Sequence, residues 1–172
     1  LHLHYLYDSS TPAYSDDNVT FQHYLHARNV VFTPGTYYYR QNPQSVSRRI
    51  TLRRFDWMDA NLSLKHIIQA EAAQGNITDS QTLIDQYELY RWHIVIDCWW
   101  YYYRHRKHFS SEEQKKIEEH FGHILPTIER HRLPIRAILK FGYYPFRSIT
   151  VFRFVEDLYC RLRSIIHTKA AD

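Results

Sequence analysis

Asp16 and Asp17 form an adjacent carboxylate pair at the start of a short amphipathic run, and Arg40 closes an aromatic run further on. A carboxylate held in place can accept the proton of an attacking hydroxyl. A guanidinium can meet a phosphate through two parallel hydrogen bonds. No other stretch combines residue type and spacing in this way. The twelve His include three pairs three residues apart, His23/His26, His105/His108 and His120/His123. Each pair can share one helix face, yet none has a Cys or carboxylate at the spacing of a zinc signature, so no metal ligand is assigned in this chain. There is also no Gly-x-Ser-x-Gly elbow and no glycine-rich phosphate loop.

The elements that must position these groups lie within Tyr14–Ser47. Phe21, Tyr24 and Leu25 follow Asp17 at helical spacing, which sets both acids in a first turn where the helix dipole favours negative charge. Capping is the plainer role for such acids: Ser15 or Asp16 can satisfy free N–H groups there. Asn29–Thr33 is a β-branched and aromatic run, Pro34-Gly35 signals a turn, and Thr36–Arg40 is a second such run, so a hairpin is predicted. Leu1–Tyr7 alternates as a strand does and reads as one entered midway, from which we expect a piece of a longer protein.

The acidic pair, the helix, the Val30-Val31-Phe32 run and the tail Tyr37-Tyr38-Tyr39-Arg40-Gln41-Asn42-Pro43-Gln44-Ser45-Val46-Ser47 together resemble the end of the catalytic domain in family 2 glycosyltransferases of the GT-A fold, bacterial enzymes that build surface glycans. The resemblance covers about the first 50 residues. It implies that Asp17 is the general base that deprotonates the acceptor hydroxyl. Asp16 supports it, where the family usually has Glu. By position in the tail it nominates Arg40, with Asn42 and Ser45, as contacts to the donor diphosphate. Relatives often carry a His in this tail and this chain has none. The resemblance further implies a nucleotide-sugar donor, a glycan or lipid-linked acceptor, and a divalent Mg or Mn ion in the full-length enzyme. That ion is held by an Asp-x-Asp in an N-terminal nucleotide-binding half, and no Asp-x-Asp occurs in this chain. The missing half is therefore a partner, and this piece alone is expected to be inactive.

Beyond Ser47 the pattern is helical. Arg53–Ala73 carries Phe55, Met58, Leu62, Leu64, Ile67 and Ile68 at three- and four-residue spacings and stops at Gly75-Asn76. Thr78, Asp79 or Ser80 can cap the next helix. On it Leu83, Tyr87, Tyr90, Ile94, Cys98 and Tyr101 form one stripe, and Trp92, Val95, Trp99 and Tyr102 a second. Ser110 and Glu113 make a capping box, and Ile117, Phe121 and Ile124 continue that helix until Pro126 stops it. Short pieces follow to Pro145. A last helix is predicted over 146–167, with Ile149, Phe152, Leu158, Leu162 and Ile165 or Ile166 inward. The expected fold is mainly α (α+β). It has short N-terminal strands and one helix from the end of a GT-A domain in residues 1–50, then a C-terminal helical bundle as an extension in 51–172.

At 172 residues with 16% aromatics and only 4 Gly, the chain can bury a core, and its composition is not that of a disordered segment. The net charge of +4 is C-terminal: nine Lys or Arg face four Asp or Glu from Pro126 onward, against 13 and 14 before it. Arg147, Arg153, Arg161 and Arg163 lie among aromatic residues there, a pattern that suits an anionic membrane surface. A solvated basic face over an aromatic core gives the same pattern. No apolar run approaches the roughly 20 residues of a membrane span, and no charged n-region precedes an apolar stretch. Cys98 and Cys160 are more consistent with two buried thiols in a reducing cytoplasm than with a disulfide. The expectation is thus a cytoplasmic glycosyltransferase piece, peripheral on the inner face of the cell membrane. A homodimer is an option, since strand edges and apolar faces seek pairing, and no nucleic-acid partner is expected. The rival is a basic helical module that binds nucleic acid or protein.

Overall fold

The computed structural model of the chain describes Tyr14, residues 16–36, Tyr38, 49–135 and 148–169, with side chains as far as Ser164. These residues hold five α-helices and no strand: α1 (Asp16–His26), α2 (Asp56–Ala73), α3 (Ser80–His105), α4 (Ser111–Ile124) and α5 (Ile149–Lys169). The mainly α expectation stands. The chain divides into two compact units, Leu1–Thr78 and Asp79–Asp172. Residues 51–78 therefore group with α1, whereas the division drawn on the resemblance falls at 50/51.

In the first unit α1 packs on α2. A 3-10 turn, Leu52–Arg54, leads into α2, so this helix starts three residues later than its apolar pattern predicts, and Phe55 is buried at the junction. Val19 from α1 joins Phe55, Met58, Ala60, Leu64 and Ile68 in a small core. The end of α2 follows from Gly75, whose φ of 77° lies in the left-handed region that glycine enters without a Cβ clash. Gly75 N donates to Ala72 O and Asn76 N to Glu71 O, both at 3.0 Å, the paired bonds of a Schellman cap.

The second unit is built on α3, whose N-terminus Asp79 caps by accepting from Thr82 N. Trp92, Ile94, Val95, Ile96, Cys98, Trp99 and Tyr102 are all buried along it. The Ser110–Glu113 capping box forms as predicted, with Glu113 N donating to Ser110 Oγ and Ser110 N to Glu113 Oε2. Helix α4 ends at Ile124, and Pro126 lies in the 3-10 turn Leu125–Thr127. The Trp99 ring packs edge-on against Phe121 of α4 and Phe152 of α5, with centroids 4.9 and 5.1 Å away. Edge-to-face geometry of this kind adds to plain burial. Cys98 and Cys160 are buried and not joined in a disulfide.

Four expectations are corrected. Residues 29–36 form no strand; Val31 and Phe32 face solvent, Phe32 at 91% exposure. An isolated hairpin is marginal without a third strand or a helix against it. Tyr38 of the second run is exposed and in no strand; Tyr37, Tyr39, Arg40 and Leu1–Tyr7 fall outside the described residues. Tyr24, placed inward by its spacing, is 61% exposed, because α1 meets α2 through Asn18 and Val19 instead. On α5, Phe152 is buried as predicted, but Leu158 and Leu162 point outward; the inward face is Phe152, Glu156 and Cys160. Tyr90 on α3 is likewise exposed, since the buried ion pair of Glu88 and Arg91 occupies the inner face at that level.

Candidate functional site

Asp16 and Asp17 stand together in the first turn of α1, both exposed to solvent. The next residue holds them: Asn18 is buried and its Nδ2 donates to Ala60 O on α2 at 3.1 Å. Before them Tyr14 has a φ of 66°, a left-handed conformation unusual for a side chain of its size. Trp57 of α2 stacks on the Tyr14 ring with centroids 5.8 Å apart. Arg54 lies 4.8 Å over the Trp57 ring, and its Nη1 donates to the Tyr14 hydroxyl at 3.2 Å. The acids thus sit between two points fixed on α2, Tyr14 ahead of them and Asn18 behind. At the far end of α1, His26 Nε2 lies 3.0 Å from Glu71 Oε1.

Partial burial at the helix start raises the Asp17 carboxyl above its ordinary value, and the negative charge of Asp16 adds to this. An anchored carboxylate with a raised proton affinity and open access can take a proton from a hydroxyl brought to it.

No family model, curated protein or solved structure matches this chain.

Arg40, Asn42, Ser45 and Arg147 fall outside the described residues. Arg153, Arg161 and Arg163 are on α5 in three different settings. Arg153 Nη1 donates to Glu118 of α4 at 2.7 Å. Arg163 packs over the Trp100 ring at 4.7 Å. Arg161 faces solvent. Of the spaced His pairs, the His105 and His108 rings lie 5.9 Å apart. Burial, then the charges of Arg104 and His108, hold His105 below its ordinary value. Among the described residues no three His, Cys, Asp or Glu side chains converge as a metal site requires.

Two sets of residues were missed in sequence. The Tyr14, Arg54 and Trp57 layer joins positions 40 or more apart, which periodicity cannot link. In the second unit Glu88 and Arg91 are fully buried. Arg91 reaches both Glu88 oxygens, at 2.9 and 3.1 Å, as well as Thr127 O and Oγ1, while Glu129 N donates to Glu88 Oε1. Two charges three apart beside an apolar stripe were the available signal. Both Glu88 oxygens and both Arg91 Nη atoms are bonded within the fold, so the cluster reads as a structural tie between α3 and the turn after α4.

Proposed function

We propose that the chain is the C-terminal part of a family 2 glycosyltransferase of the GT-A fold, which transfers a sugar from a nucleotide-sugar donor to a hydroxyl of a surface-glycan acceptor. The observation that carries this reading is the exposed Asp17 carboxyl, held at a helix start between two fixed points with its proton affinity raised. Asp17 is the general base: it accepts the acceptor hydroxyl proton as that oxygen bonds to the anomeric carbon and the nucleoside diphosphate leaves. Asp16 supports the base through its adjacent charge. Arg40, with Asn42 and Ser45, meets the diphosphate.

The residues described here do not fit a divalent ion. The ion such an enzyme uses belongs to the missing nucleotide-binding half, and no step is derived through it. The two buried thiols support a reducing, cytoplasmic setting. No helix among the described residues is long and apolar enough to cross a membrane.

The test is Asp17→Asn in the complete protein, which keeps shape and removes basicity. Turnover should fall about 10²- to 10⁴-fold with donor binding nearly unchanged. In the unchanged enzyme the acid limb of kcat/KM should lie above 3.8, the ordinary value from which Asp17 is raised. Arg40→Ala should weaken donor binding as well as rate, since its charge meets the diphosphate in ground and transition states alike. Near-normal turnover in Asp17→Asn returns the acid pair to a capping role.

A further inference from the structure

Helix α5 has two apolar faces. One, through Phe152 and Cys160, is buried against α3 and α4. The other runs through Val151, Phe154, Leu158 and Leu162, and these four are 44%, 73%, 50% and 54% exposed. Their spacing of three, four and four residues makes a seam on one side of the helix, the pattern by which helices pair. Beside it lies a groove of about 430 Å³, lined by Phe154 and Leu158 from the seam, by Arg153, Asp157 and Arg161 of α5, and by Glu118 of α4. Seam and groove are continuous, and all of it belongs to the second unit.

We propose that this face pairs with α5 of a second copy of the chain, antiparallel across a two-fold axis. Charge decides both the partner and the direction. A helix that lies on an anionic membrane carries several outward cations along its apolar face. Here Arg153 is bound to Glu118 and Arg163 lies on Trp100, so of these three arginines on α5 Arg161 alone is left to meet an anionic headgroup. Asp157 in turn accepts two bonds from Arg106, at 3.0 and 3.1 Å, so the groove wall is rigid. Parallel pairing would set Arg161 against its own copy. Antiparallel pairing brings the Arg161 end of one helix beside the Glu118 end of the other, and the two-fold repeats that contact. The apolar knobs of each seam then alternate with those of its mate. A seam of twelve residues is about 18 Å long, so the interface is at the small end and the dimer weak, with a Kd on the order of 10 µM.

Sedimentation velocity of the 172-residue chain tests this. Between ~1 and ~100 µM the chain should move from monomer to dimer, the range over which a Kd of that size is crossed. Phe154→Asp and Leu158→Asp, both at exposed positions, should weaken the dimer at least about tenfold while helix content and melting temperature stay those of the parent. Arg161→Glu should weaken it as well, and added salt should weaken the parent but not Arg161→Glu. With Leu158→Cys, mild oxidation should give a covalent dimer. A monomer throughout the range overturns the proposal. So does a dimer indifferent to Phe154→Asp, which must form through another surface. Flotation with phosphatidylserine vesicles that is lost in Phe154→Asp, without self-association, assigns the face to lipid and overturns it too.

Discussion

Each of the two units is held together internally by different means. In the second, Trp99, Tyr102, Phe121 and Phe152 interlock at centroid distances near 5 Å, and the polar side chains among them are tied to named partners: Trp99 Nε1 to Asp157, Tyr102 Oη to Glu118, Arg91 to Glu88. In the first, one short helix lies on α2 through Val19, the Asn18 amide, the Tyr14 layer and the His26–Glu71 contact. The exposed acid pair is on the lightly fastened unit; the densely packed one holds Glu88 and Arg91 inward and bonded. A few polar ties can fix the position of an acid pair without burying it. An aromatic core gives stability but leaves nothing reactive exposed. Cys160 illustrates this: burial, then the charges of Glu156 and Asp157, push its thiol up to about 12, so it should resist alkylation in the folded protein.

The largest expected effect probes that contrast in packing. Trp99→Ala removes the ring that three other rings touch and should cost about 3–5 kcal/mol, through lost burial and the cavity left behind. Val19→Ala deletes two methyl groups from the small core and should cost about 1–2 kcal/mol. Urea denaturation followed by far-ultraviolet circular dichroism reads both. Equal losses would mean that the first unit is as tightly packed as the second, and the comparison would fail.

A second probe concerns the buried charges. Arg91→Met leaves the Glu88 carboxylate fully buried without its guanidinium and should cost about 3–5 kcal/mol. Adding Glu88→Gln should restore most of that loss, because the penalty lies in the orphaned charge and an amide can still accept from Glu129 N. If the double variant stays as unstable as Arg91→Met, the pair is not the structural tie described above.

The parts of this fold legible in sequence were those set by local chemistry. Ser110, Glu113 and Pro126 delimit α4 because capping and the missing proline N–H act within a few residues, and Gly75 ends α2 for the same reason. Tertiary choices were not legible. On α5 the stripe of Val151, Phe154, Leu158 and Leu162 and the stripe through Phe152 are both periodic, and only the position of Trp99 and Phe121 selects the second. The Val30–Phe32 run has strand composition, but a strand requires a partner, which these residues do not supply. Of the candidate site, the acid pair was visible as a motif. Its fastening was not, since Tyr14 and Trp57 meet only after α1 has docked on α2.

The smallest expected effect is an acid sensitivity of the contact between α1 and α2. Glu71 accepts from His26 Nε2 and from Asn76 Nδ2, and these two bonds hold its carboxyl below the ordinary value of 4.5 despite partial burial. A carboxyl depressed in the folded state contributes stability that is complete above its unfolded value and lost as pH falls through the lower folded one. The docking of α1 on α2 should therefore loosen below 4.5, as Glu71 takes a proton and stops accepting from His26 Nε2 and Asn76 Nδ2. Amide hydrogen exchange read separately in α1 and α4 checks this, after correction for the intrinsic pH dependence of exchange. Protection should drop in α1 below 4.5; the start of α4 should loosen as well, since Ser110 likewise holds the Glu113 carboxyl of its cap below the ordinary value, so the Glu71 variant is what separates the two. Glu71→Gln should start from weaker α1 protection and lose the step below 4.5, because the amide has no proton to gain. If the α1 step persists in Glu71→Gln, the His26–Glu71 contact is not what sets the acid limit of the first unit.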